Sequence, residues 1–246
     1  QEELCVLGWQ ISEGKVRADM EKVHKMIDSI GGPERRLKDK GDVQSALGCI
    51  NFYRAAIPNS GGIANILYSL TKKNAFNGPD DWTATHSAAL RSLKEALLSD
   101  TFLAIPDETK DFYLISDSSS HTIGCVLAQL HHDGSERPVS YASSSLPTPA
   151  RRWSASEREL FGVLHFCDVV FRHLLVFCKR VYLVTDHKSL EQMMTAARSS
   201  NSKLARWSAR LAAWKNAVVQ YRAGILIGPA DALTRITEGR SATEMS

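Results

Sequence analysis

Four carboxylates in the second half of this 246-residue chain, Asp117, Glu159, Asp186 and Asp231, stand where strands or helices should aim them at one shared point. Asp117 closes the strand-like run Phe112-Tyr113-Leu114-Ile115-Ser116 and opens a serine-rich turn. Asp186 follows Val181-Tyr182-Leu183-Val184-Thr185 without a spacer, and Asp231 opens the short helix-like string Asp231-Ala232-Leu233-Thr234-Arg235. Taken singly, Asp117 reads as an Asx-turn residue, Asp186 as a helix N-cap and Asp231 as an acid favoured by a helix dipole. Together they need a shared reason, because acids brought to one point repel unless cations hold them. Hard cations prefer carboxylate oxygens, and a pair of such ions serves phosphodiester cleavage.

Two glutamates compete for the second place in this set. Ser154-x-x-Glu157 is a capping box that starts a long helix predicted to continue to about Leu175. At about 100° per residue, Glu159 shares its face with Gly162, Val163, Phe166, Val170 and Leu174, whereas Glu157 lies on the far side near Asp168 and Arg172. An isolated charge on an apolar stripe is too costly unless paired or metal-bound. Glu159 is therefore the ligand candidate and Glu157 the cap.

Around these residues the pattern predicts strands over 112–116, 123–130 and 138–142, with Asp133-Gly134 turning the last two into a hairpin. Strand 181–185 follows the long helix, then a helix containing Leu190, a helix over about 202–218, a strand over 218–221 and the final short helix from Asp231. Upstream, two short strands flank Glu13-Gly14, and a helix runs from Asp19 to Ile30, where Gly31-Gly32-Pro33 stops it. A second helical unit starts near Asp42 and runs to Ile57-Pro58-Asn59; the loop NAFNGPDDW separates it from a third over 84–98, and IPDETK marks a domain boundary.

With 43% hydrophobic residues the chain can bury a sizeable core, divided between two modest domains. No apolar run approaches the roughly 20 residues of a membrane-spanning helix, and no secretory signal opens the chain. Gln1 already lies inside a strand-like segment, so a piece of a longer polypeptide is expected. Cys5, Cys49, Cys125, Cys167 and Cys178 show no ligand spacing, which points to core thiols in an intracellular, reducing compartment. The net charge of +3 says little about partners. Its distribution says more: no acid falls between Glu191 and Asp231, while Arg198, Lys203, Arg206, Arg210, Lys215 and Arg222 do. A local basic face of this kind suits a phosphate backbone. The predicted helix 202–218 carries Leu204, Trp207, Leu211, Trp214 and Val218 on one side with Lys203, Arg206 and Arg210 beside them. That reads either as a core helix with a solvated flank or as a rim gripping phosphates. His187 and Lys188 are near enough to Asp186 to touch a substrate.

The strings FYLISDSSS, SASERELFGV, VYLVTDHKSL and GPADALTR, in that order, resemble the four active-site segments of retroelement ribonuclease H, in the version fused to reverse transcriptases of Ty3/gypsy-type LTR retrotransposons. The upstream strings Leu7-Gly8-Trp9, Asp42-Val43-Gln44-Ser45-Ala46-Leu47-Gly48 and Asn51-Phe52-Tyr53-Arg54 with Ile57-Pro58-Asn59 resemble the stretch that follows the polymerase palm in the same family. The resemblance implies an α/β ribonuclease H fold, a mixed five-stranded sheet with flanking helices, over residues 108–246. A smaller α+β thumb/connection-like region with a primer-grip hairpin would precede it over 1–107. It also implies Mg2+-dependent cleavage of the RNA strand of RNA/DNA hybrids by two ions, with Mn2+ as a substitute. Asp117 would bridge the ions, Asp186 and Glu159 would complete one and Asp231 the other, and the remainder of a reverse transcriptase polyprotein would be the covalent partner.

Two departures are visible. The family pattern TDAS stands here as Ser116-Asp117-Ser118-Ser119. Where many members place a histidine before the last aspartate, this chain has Tyr221-Arg222-Ala223, which predicts slower product release or another proton carrier. The only adjacent aspartate pair, Asp80-Asp81, sits in a loop after Gly78-Pro79, so DNA synthesis is not carried by this stretch. The rival expectation is a co-opted, non-catalytic structural or RNA-binding subunit of a larger host assembly.

Overall fold

The computed structural model describes residues 3–29, 37–73, 75–99, 101–186 and 202–222, and the chain divides into two compact units, Gln1–Ile105 and Pro106–Ser246. Among the described residues no helix is long and apolar enough to cross a membrane.

In the first unit, β1 (Leu4–Val6), β2 (Trp9–Ser12) and β3 (Lys15–Ala18) form an antiparallel meander, and β4 (Leu103–Ala104) adds to β3. Leu7-Gly8 makes a turn additional to the expected one at Glu13-Gly14. Gly8 sits at φ +88°, and a Cβ there would stand 2.9 Å from the Tyr53 hydroxyl. That hydroxyl donates to the Gly8 carbonyl at 3.1 Å, tying the turn to the helices. Helix α1 (Met20–Ser29) is capped by Asp19, whose Oδ1 accepts from the Glu21 and Lys22 amides. Helix α2 (Lys40–Phe52) begins before Asp42, because Asp39 is the N-cap and accepts from the Asp42 amide at 2.8 Å.

The expected second helical unit is broken at Tyr53. A short 3-10 turn, Arg54–Ala56, follows, and then a helix the pattern did not show, α3 (Ser60–Leu70). Glycines 61 and 62 hid it, since glycine is a poor helix former. Burial of Ile63, Ala64, Leu67 and Leu70 overrides that preference. Helix α4 (Ala84–Leu98) contributes Leu90, Leu93 and Leu97 to the same core as Val43, Leu47 and Ile50 of α2.

The second unit is built on a five-stranded sheet of β5 (Phe112–Ser118), β6 (Thr122–Leu130), β7 (Glu136–Ser145), β8 (Val181–Thr185) and β9 (Ala217–Tyr221), in the order β7-β6-β5-β8-β9. β5, β6 and β7 run antiparallel, while β5–β8 and β8–β9 are parallel, so the sheet is mixed. Helix α5 (Ala155–His165) lies against β5 and β6. Gly162 permits the close approach: a Cβ there would meet Ile123 Cγ2 at 3.3 Å.

The long helix expected to run to Leu175 stops at His165. A π-turn over Phe166–Val170 and a short helix, α6 (Arg172–Leu175), replace its second half. The extra residue shifts the register, so Phe166, Cys167, Phe171 and Leu175 are buried while Val169 is 66% exposed. Helix α7 (Ser202–Ala212) is likewise shorter than the predicted 202–218. The chain turns at Trp214 to Asn216 because β9 pairs with β8 from Ala217 onward, and Asn216 Nδ2 anchors that turn on the Leu175 and Cys178 carbonyls at 3.0 Å each.

Candidate active site

The parallel register of β5 and β8 is what brings acids together. Phe112 pairs with Val181 and Ile115 with Val184. Carried on by two residues, that register sets Asp117 level with Asp186 at the C-terminal ends of neighbouring strands. Both acids thus stand at strand ends, Asp117 as the penultimate residue of β5 and Asp186 directly after β8. Asp117 is half-buried and accepts from the Ser118 amide at 2.7 Å; Asp186 is exposed.

Glu159 reaches the same region from α5. It is only 3% exposed. Its Oε1 accepts a 2.6 Å hydrogen bond from the Ser118 hydroxyl, and its Oε2 is buried with no hydrogen-bond partner among the described residues. Burial pushes its carboxyl up to about 8; the Ser118 hydrogen bond opposes this, and the charges of Asp117 and Asp186 add to it. Glu159 is thus near enough to both aspartates to sense their charge. Among the described residues, however, no group of three or more His, Cys, Asp or Glu side chains is set closely enough to hold an ion. Asp231, His187 and Lys188 lie outside the described residues.

A buried oxygen with an unused lone pair, flanked by two more carboxylates, suits a divalent cation: the ion would supply the missing partner and cancel the repulsion. Asp117, Glu159 and Asp186 are the described residues on which such an ion would draw, although by themselves they are not gathered closely enough to hold it. Glu157 has the other role. Its amide donates to Ser154 Oγ at 3.2 Å while its Oε2 accepts from the Ser154 amide at 2.8 Å, a complete capping box.

The basic flank of α7 turns out to be partly engaged within the fold. Lys203 Nζ lies 2.6 Å from Glu157 Oε1 and stands over the rings of Trp153 and Trp207, 4.5 and 5.1 Å from their centres. Arg210 is ion-paired with Asp168, its Nε 3.1 Å from Oδ2, and Trp214 Nε1 donates to Asp168 Oδ1 at 2.8 Å. Arg206 is exposed. Sequence reasoning missed Ser118, Trp153 and Asp168, because what matters in each is a contact with a residue far along the chain. Arg222, which stands in the loop where a histidine was looked for, pairs with Glu136 at 2.9 Å and lies 5.4 Å over the Tyr113 ring.

Residues 107–214 match the model of the RNase H-like domain found in reverse transcriptase. Along 239 residues, 97% of the chain, the sequence is 28% identical to the Transposon Tf2-3 and Tf2-4 polyproteins of Schizosaccharomyces pombe. The chain spans only 17% of the length of these relatives. The fold is similar to that of the foamy viral protease-reverse transcriptase. One such structure, in complex with double-stranded DNA, gives a TM-score of 0.73 at 19% identity over 90% of this chain and 38% of that one. Another, in complex with an RNA/DNA hybrid, gives 0.71 at 19% identity over 90% and 29%.

Proposed function

We propose, from a chain whose residues 107–214 are an RNase H-like domain of the reverse transcriptase kind, that it cleaves the RNA strand of RNA/DNA hybrids, as the C-terminal part of a retrotransposon reverse transcriptase. The observation that carries this reading is the buried Oε2 of Glu159, which has no hydrogen-bond partner among the described residues and senses the charges of Asp117 and Asp186. Asp117, Glu159 and Asp186, with Asp231 as the fourth, would hold two Mg2+ ions. Such a pair, when bound, activates water and neutralises the leaving oxygen of the phosphodiester. The protein's own part is to present carboxylates from β5, from α5 and from the bend after β8, and to keep Glu159 dry. Exposed Arg206 would meet the hybrid's phosphates, together with His187 and Lys188; Lys203 and Arg210 brace α7 against the α5 region.

The rival reading, a non-catalytic subunit of a larger assembly, draws support from those two internal ion pairs, since they remove cations from the proposed rim. Incubation of the full chain with an RNA/DNA hybrid in Mg2+ or Mn2+ separates the two. Cleavage of the RNA strand by the wild type and its loss in Asp186→Asn, with the fold kept, is the expected result. A folded wild type that cuts no hybrid in either metal refutes the enzyme reading.

A further inference from the structure

Ser118 sits between two of the proposed ligands in a way that no local pattern required. It follows Asp117 on β5, pairs with Ile123 of β6, and turns its side chain to the face that α5 covers. From there its hydroxyl donates to Glu159 Oε1 at 2.6 Å, across 41 residues of sequence. A carboxylate offers two equivalent oxygens, and its terminal torsion is broad and soft. Engaging one oxygen removes that freedom and distinguishes the two: Oε1 is occupied, while Oε2 is left buried with no partner among the described residues. In the TDAS pattern that this segment resembles, the position of Ser118 is an alanine, which has no hydroxyl to donate.

We propose that Ser118 is a positioning residue for the metal site: by holding Oε1 of Glu159 it makes Oε2 the oxygen that the glutamate offers to a divalent cation. The proposal rests on the two-metal reading of the preceding section. Ser118 itself touches neither ion nor substrate. It acts through Glu159, as partners of ligating carboxylates do elsewhere, orienting the ligand before the ion arrives.

The test uses the full chain with Ser118→Ala and Ser118→Thr, read by Mn2+ titration calorimetry without nucleic acid and by the Mg2+ concentration giving half-maximal hybrid cleavage. Ser118→Ala should weaken Mn2+ binding and raise the Mg2+ midpoint about tenfold, the lower end of what such partners contribute. Threonine keeps the hydroxyl and suits a strand, so it should return both readings to near wild type. In metal-free protein, the melting shifts of Ser118→Ala and Glu159→Ala should be non-additive, because they break one contact. A folded Ser118→Ala protein that binds Mn2+ like the wild type overturns the proposal, and so do additive melting shifts or a threonine variant as weak as alanine. If the wild type itself takes up no Mn2+, the two-metal reading falls and this role with it. If the wild type binds and the alanine variant binds equally, the role alone falls.

Discussion

Lys203 Nζ lies 2.6 Å from Glu157 Oε1 while resting over the rings of Trp153 and Trp207, so one cation ties the start of α7 to the capping box of α5. The side chains are 28% and 15% exposed, which keeps this pair from being a purely solvated one. Glu157 is held below the usual carboxylate range first by that lysine. A partly shielded pair with aromatic faces should contribute about 1 kcal/mol.

Lys203→Ala is therefore expected to lower stability in urea by about 1 kcal/mol, with a smaller effect on how hybrid binding depends on salt. Arg206→Ala should act chiefly on binding, with a salt slope flatter by about one unit, as for one lost phosphate contact. Filter binding across a salt series checks both. Equal slopes for wild type and Arg206→Ala would remove Arg206 from the interface.

Asp168 is a second brace. It accepts from both Arg210 and Trp214, and the π-turn that carries it sets its register. Asp168→Ala leaves the partly buried Trp214 indole N–H without its acceptor and frees the exposed Arg210 to water, and the expected loss is about 1 kcal/mol. The loss should shrink in an Arg210→Ala background, because the two side chains share one interaction. A double-mutant cycle in urea measures it; full additivity would show that the pair contributes nothing.

The parts of this fold that were legible in the sequence are those whose cause is local. Ser154 and Glu157 stand three apart and cap each other, so the start of α5 could be placed from two letters. Val181 to Thr185 is an apolar run followed at once by an acid, which located β8 and the position of Asp186. The π-turn was not legible: inserting one residue leaves the composition of Phe166 to Val170 as apolar as a regular helix would be, and only tertiary packing selects it. Helix α3 was masked by Gly61 and Gly62, whose low propensity is overridden by the burial of Ile63 and Leu67. At the site, periodicity separated Glu159 from Glu157, yet the Ser118 hydroxyl that orients Glu159 is a long-range contact and left no periodic trace.

The turn at Gly8 tests the first unit. Its φ of +88° disfavours any L side chain, and an added Cβ would stand 2.9 Å from the Tyr53 hydroxyl and 3.1 Å from Phe52 Cε1. Gly8→Ala should cost about 2 kcal/mol. Adding Tyr53→Phe removes the clash with oxygen but not the backbone strain, so the double variant should recover only part of the loss in a thermal scan. A silent Gly8→Ala would mean the turn rearranges without cost.

Glu159 gives the sharpest pH signature. Its folded-state carboxyl is raised to about 8 from an ordinary 4.5, chiefly by burial. A group whose folded pKa is raised contributes stability that is complete below the unfolded value and is lost as pH rises through the folded one. Metal-free protein should therefore weaken between about pH 4.5 and 8 as the unfolded state releases a proton that the fold retains. Glu159→Gln is neutral throughout and should flatten this decline, with a gap on the order of 5 kcal/mol by pH 8.5. Millimolar Mg2+ should restore stability to the wild type at high pH, because the ion binds the ionised, folded site and not the unfolded chain. The same Mg2+ should do little for Glu159→Gln, which has lost the charged oxygen. Thermal melts at pH 5, 7 and 8.5, with and without Mg2+, read all of this. Parallel curves for the two proteins would show that Glu159 carries no buried charge, and the site built around its Oε2 would have to be abandoned.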